Sequence, residues 1–499
     1  MAHLAFDAAA VANSAEWRVV VWFAALDERR MSTHSEPRRS QTAATAARRK
    51  CRGDNAESRS SRAVRPKMAC YQGQTGHNGN RLISKKLPDG RMGEKLDGNS
   101  RMKTLGIGMV GARYGARMHL ANYAKLPRNL VEIRGVCSRT KDTGGALARE
   151  ARIEFVTDDY DALLARQDID VVDLCVPPAL HHEFAIRAAD AGKHIILEKP
   201  LTGYFGVAGD PEPIGTRVPR ARMREGARQN AEAVREAVRR NRVGFCYAEN
   251  WVYAPPIEKM RRLIAASKGS ILELRAEENH SGSNSVFSRD WKSTGGGALL
   301  RMGVHSVGAC LHLKQWEGQL RLGKGIRPVS VLADTADLIH SSASERARKA
   351  GANRWISADP VDVENWANLV IGFEDGSRGT VVVSDVGLGG LNTRVTAFMT
   401  DGVVKANMTS NDAIETYAPD PSVFHGEYFS EKLETQAGWN RPSCDEDWFR
   451  GFAQEIEDFV GAIREAREPR SGIDLAVECV NVIYAAYLSA ETGSRVALE

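Results

Sequence analysis

The chain has 499 residues, of which 42% are hydrophobic, and a formal net charge of +5 at pH 7. This length exceeds what one hydrophobic core usually fills, so we expect two domains and an appended segment. The basic excess lies in residues 1–101, with 19 Lys and Arg against 10 Asp and Glu, whereas residues 102–499 carry 49 against 53, which argues against nucleic-acid binding by the folded part.

Residues 1–101 are predicted to be a disordered basic extension, because residues 30–101 are rich in Arg, Ser, Gly and Asn and have almost no apolar periodicity. The apolar run at 19–26 is too short to span a bilayer. The eight cysteines are scattered without a Cys-x-x-Cys pair. We therefore expect a reduced cytoplasmic protein with no structural metal and no membrane partner. An organellar transit peptide and an upstream extension of the gene model before Met102 are the alternatives for this segment.

Residues 102–250 are predicted to form a Rossmann nucleotide-binding domain, because short apolar strands alternate with helical stretches. The predicted strands lie at 104–110, 131–137, 169–176, 194–198 and 243–247. The predicted helices lie at 115–126, 160–166 and 181–191, and another passes through Ala227. This alternation is typical of an α/β fold with a doubly wound parallel sheet. A Gly- and Pro-rich loop at 203–219 is interpreted either as a lid over the site or as an inert surface insertion.

Residues 251–499 are predicted to form an α+β domain for substrate binding and oligomerisation. Its predicted strands, at 271–277, 366–373, 380–384 and 394–399, are longer and alternate between apolar and polar residues. This pattern indicates an open, largely antiparallel sheet with one face covered by helices. Amphipathic helices are predicted at 455–463 and 476–488.

A phosphate-binding turn is predicted after the first strand. The string from Gly106 to Gly111 matches G-x-G-x-x-G, but its first two glycines lie inside the strand. The expected turn is therefore Gly111-Ala112-Arg113-Tyr114-Gly115-Ala116, where helix N–H groups can face a pyrophosphate. An ordinary strand–turn–helix would give the same pattern.

The end of the second strand favours NADP over NAD. It carries Ser138 and Arg139, and it lacks the acidic residue that would bind the adenine ribose of NAD. A hydroxyl followed by Arg can bind a 2′-phosphate. The alternative is that Arg139 is a solvated loop charge.

Five motifs occur in the order typical of the Gfo/Idh/MocA family (glucose–fructose oxidoreductase, inositol dehydrogenase, MocA), which the chain resembles from Met102 to Glu499. They are the turn from Gly111 to His119, Val176-Pro177-Pro178-Ala179-Leu180-His181, the segment from Ala191 into Glu198-Lys199-Pro200-Leu201, the glycine-rich segment 295–305, and the helix residues 485–490. The resemblance implies an NAD(P)-dependent oxidoreductase that acts on a sugar, a cyclitol or a derivative. It also implies a homodimer or homotetramer and a Lys199–Pro200 peptide that is often cis.

Lys199 and His305 are the predicted catalytic residues. Lys199 follows a strand at the carboxyl edge of the sheet, where its ammonium group can stabilise charge on a substrate oxygen. His305 suits proton exchange with the substrate hydroxyl. The alternatives are a surface lysine and a structural histidine. By resemblance, further cofactor-binding residues are Val176, Pro177, His181, Glu198 and Pro200.

Arg301 departs from the family pattern, which often has Asp four residues before the catalytic histidine. Either the substrate brings an anionic group to Arg301, or Arg301 points elsewhere and His305 works without that partner. Other candidates for substrate binding are Asn250, Tyr253 and Trp291, since amide and aromatic groups suit sugar recognition. Packing and hinge roles are equally compatible with these three residues.

The predicted function is reversible hydride transfer between NAD(P) and a hydroxyl or carbonyl carbon of a sugar or polyol. One alternative is a lyase or glycosidase that oxidises and re-reduces its substrate. Another is a regulator that senses sugars or nucleotides and catalyses nothing.

Overall fold

The computed structural model describes residues 103–283, 285–353, 355–357, 359–409 and 414–498. The described residues all belong to one compact unit. The predicted disordered extension at 1–101 lies outside the described residues, and the domain boundary after residue 250 stays a prediction.

Six strands form a parallel sheet in the first half of the described chain. They are β1 (Leu105–Val110), β2 (Val131–Cys137), β3 (Val156–Thr157), β4 (Val171–Leu174), β5 (His194–Glu198) and β6 (Phe245–Ala248). Their order is β3-β2-β1-β4-β5-β6. The order reverses between β1 and β4, and ligands of such sheets bind beside this reversal at the carboxyl ends of the strands. The predicted doubly wound parallel sheet is confirmed.

The helices of this half are α1 (Tyr114–Tyr123), α2 (Lys141–Ala151), α3 (Tyr160–Leu164), α4 (His181–Asp190), α5 (Ile214–Arg217) and α6 (Arg220–Asn241). Every residue of β4 and five of the six in β1 are buried, because helices cover both faces of the sheet. Sequence reasoning missed α2 and β3. Helix α2 contains two adjacent glycines and few apolar residues, and β3 has only two residues.

A second, mixed sheet follows. The remaining strands are β7 (Ile271–Asn279), β8 (Pro328–Ala336), β9 (Trp366–Phe373), β10 (Arg378–Ser384), β11 (Asn392–Met399), β12 (Val403–Asn407), β13 (Thr416–Ala418), β14 (Gly438–Asn440) and β15 (Val496–Ala497). Seven of them form a sheet in the order β12-β11-β7-β10-β9-β8-β15, with only the β7–β10 pair parallel. Strands β13 and β14 pair separately as a two-stranded ribbon.

The helices of this half are α7 (Pro255–Ala266), α8 (Trp291–Thr294), α9 (Ala298–Arg301), α10 (Gly303–Leu322), α11 (Ser342–Lys349), α12 (Glu446–Arg450), α13 (Phe452–Arg464) and α14 (Ile473–Thr492). Helices α10 and α14 pack on one face of the seven-stranded sheet. Helix α14 is long and apolar enough to cross a membrane by length and composition, but 72% of its most apolar window is buried inside the protein. Such burial is typical of a core helix.

The loop predicted at 203–219 packs against the second half of the chain. The Tyr204 N–H donates to the Tyr484 hydroxyl at 2.6 Å, and the Gly215 N–H donates to Asp362 at 2.7 Å. Helix α6 begins directly after the loop, at Arg220. Its first two turns are dominated by Arg, which hid the helical pattern, because Met223 and Ala227 are their only buried residues.

Candidate active site

Gly111 forms the turn between β1 and α1. Its φ of +106° suits glycine, and a Cβ there would lie 2.1 Å from the Cys175 carbonyl oxygen. The residue before α1 is Arg113, and no side chain of the described residues caps this helix start. The first N–H groups of α1 can therefore bind an anion, which fits a pyrophosphate cradle.

The two earlier glycines lie within β1, as the sequence indicates, and the structure gives them a packing role. A Cβ on Gly106 would lie 1.8 Å from the Asp168 carbonyl oxygen, and one on Gly108 would lie 2.8 Å from Leu163. In the turn itself, Ala112 and Ala116 are buried and Tyr114 is exposed. The Arg113 guanidinium lies 5.5 Å from the centre of the Phe287 ring, so it extends towards the segment after β7.

Ser138 and Arg139 lie at the carboxyl end of β2. The Ser138 hydroxyl donates to the Thr140 carbonyl at 2.7 Å, and Thr140 caps α2. Arg139 is exposed. A hydroxyl, a guanidinium group and a helix start therefore lie together at this edge of the sheet.

The Glu198-Lys199-Pro200 turn follows β5, and its Lys199–Pro200 peptide is cis, as the resemblance implies. His181 is fully buried beside it. Its ring nitrogens lie 2.6 Å from the Pro200 carbonyl oxygen and 2.9 Å from that of Val176. His181 thus links the chain after β4 to the Glu198-Lys199-Pro200 turn, which is a positioning role. Pro177 begins the short 3-10 helix Pro178–Leu180 between them.

A cavity of about 430 Å³, called the catalytic cavity below, opens at the carboxyl edge of the parallel sheet. Residues from both halves of the chain line it. The predicted site residues among them are Tyr114, Gly115, Val176, Glu198, Lys199, Asn250, Arg301 and His305. Both predicted catalytic residues therefore face one cavity.

Lys199 is held within this cavity by the main chain. Its Nζ donates to the Arg301 carbonyl oxygen at 2.8 Å. That carbonyl lies at the end of α9, just before α10 begins. The ammonium group is thereby placed close to the start of the helix that carries His305.

His305 has an acidic partner that sequence reasoning missed. Its Nδ1 lies 2.7 Å from Oε1 of Glu249, and the Trp251 ring stacks on the imidazole with centroids 5.7 Å apart. Glu249 is fully buried, and its Oε2 has no hydrogen-bond partner in the described part of the chain. Gly308 makes room for it, since a Cβ there would lie 3.0 Å from Cγ of Glu249.

Burial controls the protonation of this pair. It raises the pKa of Glu249 to about 8 and, together with the Lys199 cation, lowers the pKa of His305 to about 3. Both shifts favour a pair without net charge near neutral pH. The only sequence signal for Glu249 was its place after β6, directly before Asn250.

Arg301 points to a counterion within the protein. Its guanidinium forms an ion pair with the buried carboxylate of Asp385, and its Nε has no partner among the described residues. His305 nevertheless has an acidic partner, although position 301 does not supply it. Glu249 supplies it from the end of a different strand.

Further charged groups line the catalytic cavity. Arg450 forms ion pairs with Glu431 at 2.7 Å and with Glu446 at 3.9 Å. Burial raises the pKa values of Glu278 and Glu455, each of which keeps one carboxyl oxygen unpartnered within the described ranges. The Asn250 side chain donates to the Arg450 carbonyl at 2.9 Å. Unpartnered buried oxygens suit a ligand with many hydroxyl groups.

A buried ion-pair network lies beneath Glu198. The ring nitrogens of His119 lie 2.9 Å from Asp173 and 3.3 Å from Glu198. Burial alone would lower the pKa of His119, but Asp173 raises it well above its usual value. His119, in turn, outweighs burial and lowers the pKa of Glu198 to about 2. Possible metal-ligand atoms of His119, Asp173 and Cys175 lie within 4.8 Å of one another.

The structure does not bring Tyr253 or Trp291 to the catalytic cavity. The Tyr253 hydroxyl donates to Asp458 at 3.0 Å and accepts from the Ser471 N–H at 2.9 Å. Trp291 is fully buried, and its indole N–H donates to the Tyr204 carbonyl at 3.0 Å. The polar groups of both side chains form internal hydrogen bonds. Their aromatic residue type alone did not reveal this.

Two family models match the chain and together span half of it. One is described as an oxidoreductase family with an NAD-binding Rossmann fold and matches residues 105–207. The other is described as a GFO/IDH/MocA C-terminal domain and matches residues 257–405. The first match contains the phosphate turn and Lys199, and the second contains His305.

Similar proteins include several named as sugar dehydrogenases. D-xylose 1-dehydrogenase (NADP(+)) 2 of Haloferax volcanii is 23% identical over 380 residues, which cover 74% of this chain and 92% of the relative. Levoglucosan dehydrogenase of Pseudarthrobacter phenanthrenivorans is 36% identical over 106 residues, which cover 20% of this chain and 27% of the relative. The crystal structure of GenD2 from gentamicin A biosynthesis, in complex with NAD, has a TM-score of 0.62 at 26% identity and covers 80% of this chain and 97% of that chain.

Proposed function

We propose that this chain, which belongs to the Gfo/Idh/MocA family of NAD-binding oxidoreductases, is a dehydrogenase of a sugar or polyol CH–OH group. One observation carries the proposal. Lys199 and His305 line the same cavity, at the edge of the sheet where the uncapped start of α1 faces outward. The names of the relatives that act on xylose and levoglucosan support the substrate class.

The nicotinamide, when bound, accepts or donates the hydride. The protein then has two tasks, which are to stabilise the substrate oxygen and to move its proton. Lys199 Nζ donates a hydrogen bond to that oxygen and stabilises the negative charge that develops on it. During oxidation of a hydroxyl, His305 Nε2 takes the proton, and Glu249 at Nδ1 stabilises the resulting imidazolium.

We propose NADP as the preferred cofactor. Ser138, Arg139 and the start of α2 form a surface where a 2′-phosphate can accept hydrogen bonds and pair with a guanidinium. The turn between β1 and α1 supplies the pyrophosphate cradle for either cofactor. NAD therefore binds at the same site, but without the contacts to the 2′-phosphate. An acidic residue at position 139 should reverse the preference.

A neutral sugar or polyol fits the charges of the catalytic cavity. Arg301 and Arg450 are already paired with Asp385 and Glu431, so neither cation requires an anionic substrate. Burial raises the pKa values of Glu278 and Glu455, and the unpartnered carboxyl oxygen of each can accept a hydrogen bond from a hydroxyl group.

We also propose a homodimer or homotetramer formed through the outer face of the seven-stranded sheet. On this face, Leu332 lies opposite Val370, and Val370 lies opposite Thr380, on three adjacent strands. Leu332 is exposed, and the other two are partly exposed. A row of apolar and hydroxyl side chains on a sheet face is suitable for packing against a second copy.

The test is a screen of sugars, inositols and sugar acids by nicotinamide absorbance with the full chain and its Lys199→Ala variant. We expect turnover of a neutral sugar or polyol and a loss of at least about 10²-fold in kcat in the variant, as for loss of a charge-stabilising donor. Undiminished activity of Lys199→Ala would contradict the mechanism. Product formation without net nicotinamide reduction or oxidation would indicate a transient redox cycle instead.

A further inference from the structure

A second cavity of about 580 Å³, called the distal cavity below, adjoins the catalytic cavity. Leu391 lines both cavities. Four consecutive residues lie between the two cavities. Glu431 and Lys432 line the catalytic cavity, whereas Ser430 and Leu433 line the distal one. The two cavities therefore share one wall, which is formed by Leu391 and residues 430–433.

The wall is held by hydrogen bonds from a glycine-rich loop. Gly389 and Gly390 have φ angles of +93° and +89°, which glycine adopts without strain. The Gly389 N–H donates to Glu434 at 3.0 Å, and the Thr409 hydroxyl donates to the Leu391 carbonyl at 3.0 Å. These contacts fix the distal cavity in place beside the catalytic one.

An exposed aromatic pair borders the distal cavity. Trp439 lines it and is 75% exposed, and Tyr417, directly opposite on the neighbouring strand of the ribbon, is 57% exposed. Their ring centroids lie 5.4 Å apart. Exposed aromatic side chains beside a cavity commonly mark a binding surface, because their apolar faces otherwise lie in contact with water.

The polar groups of the distal cavity suit a sugar ring. Ser430 supplies a hydroxyl group, Asn440 supplies an amide, and Glu415 and Arg441 form an ion pair at 3.0 Å. A few polar groups around an aromatic face can bind the hydroxyls and the apolar face of a pyranose together. The volume lies within the range of about 300–1,000 Å³ that small-molecule sites occupy.

We propose that the distal cavity binds a second sugar ring, so that the preferred substrate is a disaccharide or a glycosylated polyol whose reacting ring occupies the catalytic cavity. This inference rests on the proposed function for the choice of reacting ring. In this proposal the substrate passes over Leu391 and residues 430–433, which separate the two cavities, and Trp439 stacks on the ring that does not react.

The experiment compares maltose and cellobiose with glucose, using the full chain, Trp439→Ala and the control Trp448→Ala. Trp448 is also exposed, at 45%, but it lines a different surface cavity. We expect Trp439→Ala to lower kcat/KM for the better disaccharide about tenfold, chiefly through KM, as for loss of a strong aromatic contact. The kcat/KM of Trp439→Ala for glucose should stay within about twofold of the wild-type value. Trp448→Ala should change kcat/KM for either substrate by no more than about twofold. Equal effects of Trp439→Ala on disaccharide and glucose, or no effect on either, would overturn the subsite.

Calorimetric titration with the same two disaccharides separates this inference from the proposed function. If no sugar is oxidised but the wild-type chain binds a disaccharide that Trp439→Ala does not bind, the proposed function fails and the subsite stands. If the wild-type chain binds neither disaccharide, the subsite is overturned. Light scattering of Trp439→Ala and of the wild-type chain compares their subunit numbers. A change of subunit number in Trp439→Ala would assign the aromatic pair to a subunit interface and would likewise overturn the proposal.

Discussion

Replacing Glu249 with Gln tests the proton path directly. Burial raises the pKa of Glu249 to about 8, so below that pH the Glu249–His305 pair already holds a proton. The pair must lose this proton before it can accept one from a substrate hydroxyl. In the wild-type protein, the rate of hydroxyl oxidation should therefore rise as the pH rises through about 8. The rate of carbonyl reduction should fall over the same range, because this direction needs the proton on the pair.

The Glu249→Gln side chain cannot perform either role of the carboxylate. If the amide donates to Nδ1 of His305, the ring proton is fixed on Nε2, which then cannot accept another. If the amide instead accepts from Nδ1, it provides no negative charge for the imidazolium. A positioned proton-transfer group contributes about 10²–10⁴-fold to the rate. This corresponds to about 3–5 kcal/mol in the activation free energy, at 1.36 kcal/mol for each tenfold change.

The assay is kcat/KM for oxidation and for reduction across pH values from about 6 to 10, which reports the pKa values of the free enzyme. Glu249→Gln should lower kcat/KM for oxidation and for reduction, and its pH profiles should lack the change near pH 8. The matched control is Glu478→Gln, because burial also raises the pKa of Glu478 to about 7, but this carboxyl lies on α14 and pairs with Gln315 outside the catalytic cavity. An unchanged pH profile in Glu249→Gln, or the same loss in Glu478→Gln, would refute the assigned proton path.

Three further substitutions test other parts of the structure. Arg139→Asp should shift the ratio of kcat/KM for NADP over NAD about 10–100-fold towards NAD, the worth of one charged hydrogen bond, and an unchanged ratio would remove Arg139 from the cofactor site. Gly111→Ala should lower the free energy of unfolding by at least about 1–3 kcal/mol in denaturant titrations, since its Cβ would meet the Cys175 carbonyl at a positive φ. The control Gly145→Ala lies within α2, where a Cβ has space, and it should be neutral or stabilising. Tyr253→Phe should lower the free energy of unfolding by about 1–3 kcal/mol but keep KM within about twofold, because its hydroxyl bonds Asp458 and Ser471. A large rise in KM would return Tyr253 to the substrate site.

The central strands of the parallel sheet could be predicted well because their apolar runs are buried on both faces, as in β1 and β4. Strands β2 and β5 have the predicted bounds, although only β5 has a continuous buried apolar run, because Glu132 and Arg134 interrupt that of β2. Helix α2 could not be found in this way. It is anchored by the Thr140 cap and by burial of Gly144, Leu147 and Ala148, and only the last two of these carry an apolar side chain.

The site was predictable only where a local motif encodes it. Lys199 and His305 each stand in a short segment with its own glycine or proline signature, and the structure places both on one cavity. Asp385 follows β10 and has no such signature, because its role depends on a contact with Arg301 across 84 residues of chain. Trp291 was an attractive candidate by type, but residue type does not show which surface an aromatic ring packs against.

The arginine at position 301 and the acids at 249 and 385 form one coupled arrangement of charge. A carboxylate at 301 would stand beside Asp385, and like charges in a buried site raise the pKa of one of them. With Arg301 instead, Asp385 neutralises the guanidinium, and Glu249 alone serves His305. A single change of Arg301 to Asp would therefore disturb this arrangement. It would leave Asp385 without its cation and place a second carboxylate beside it, so the residue at 301 can be understood only together with the acid that β10 brings to it.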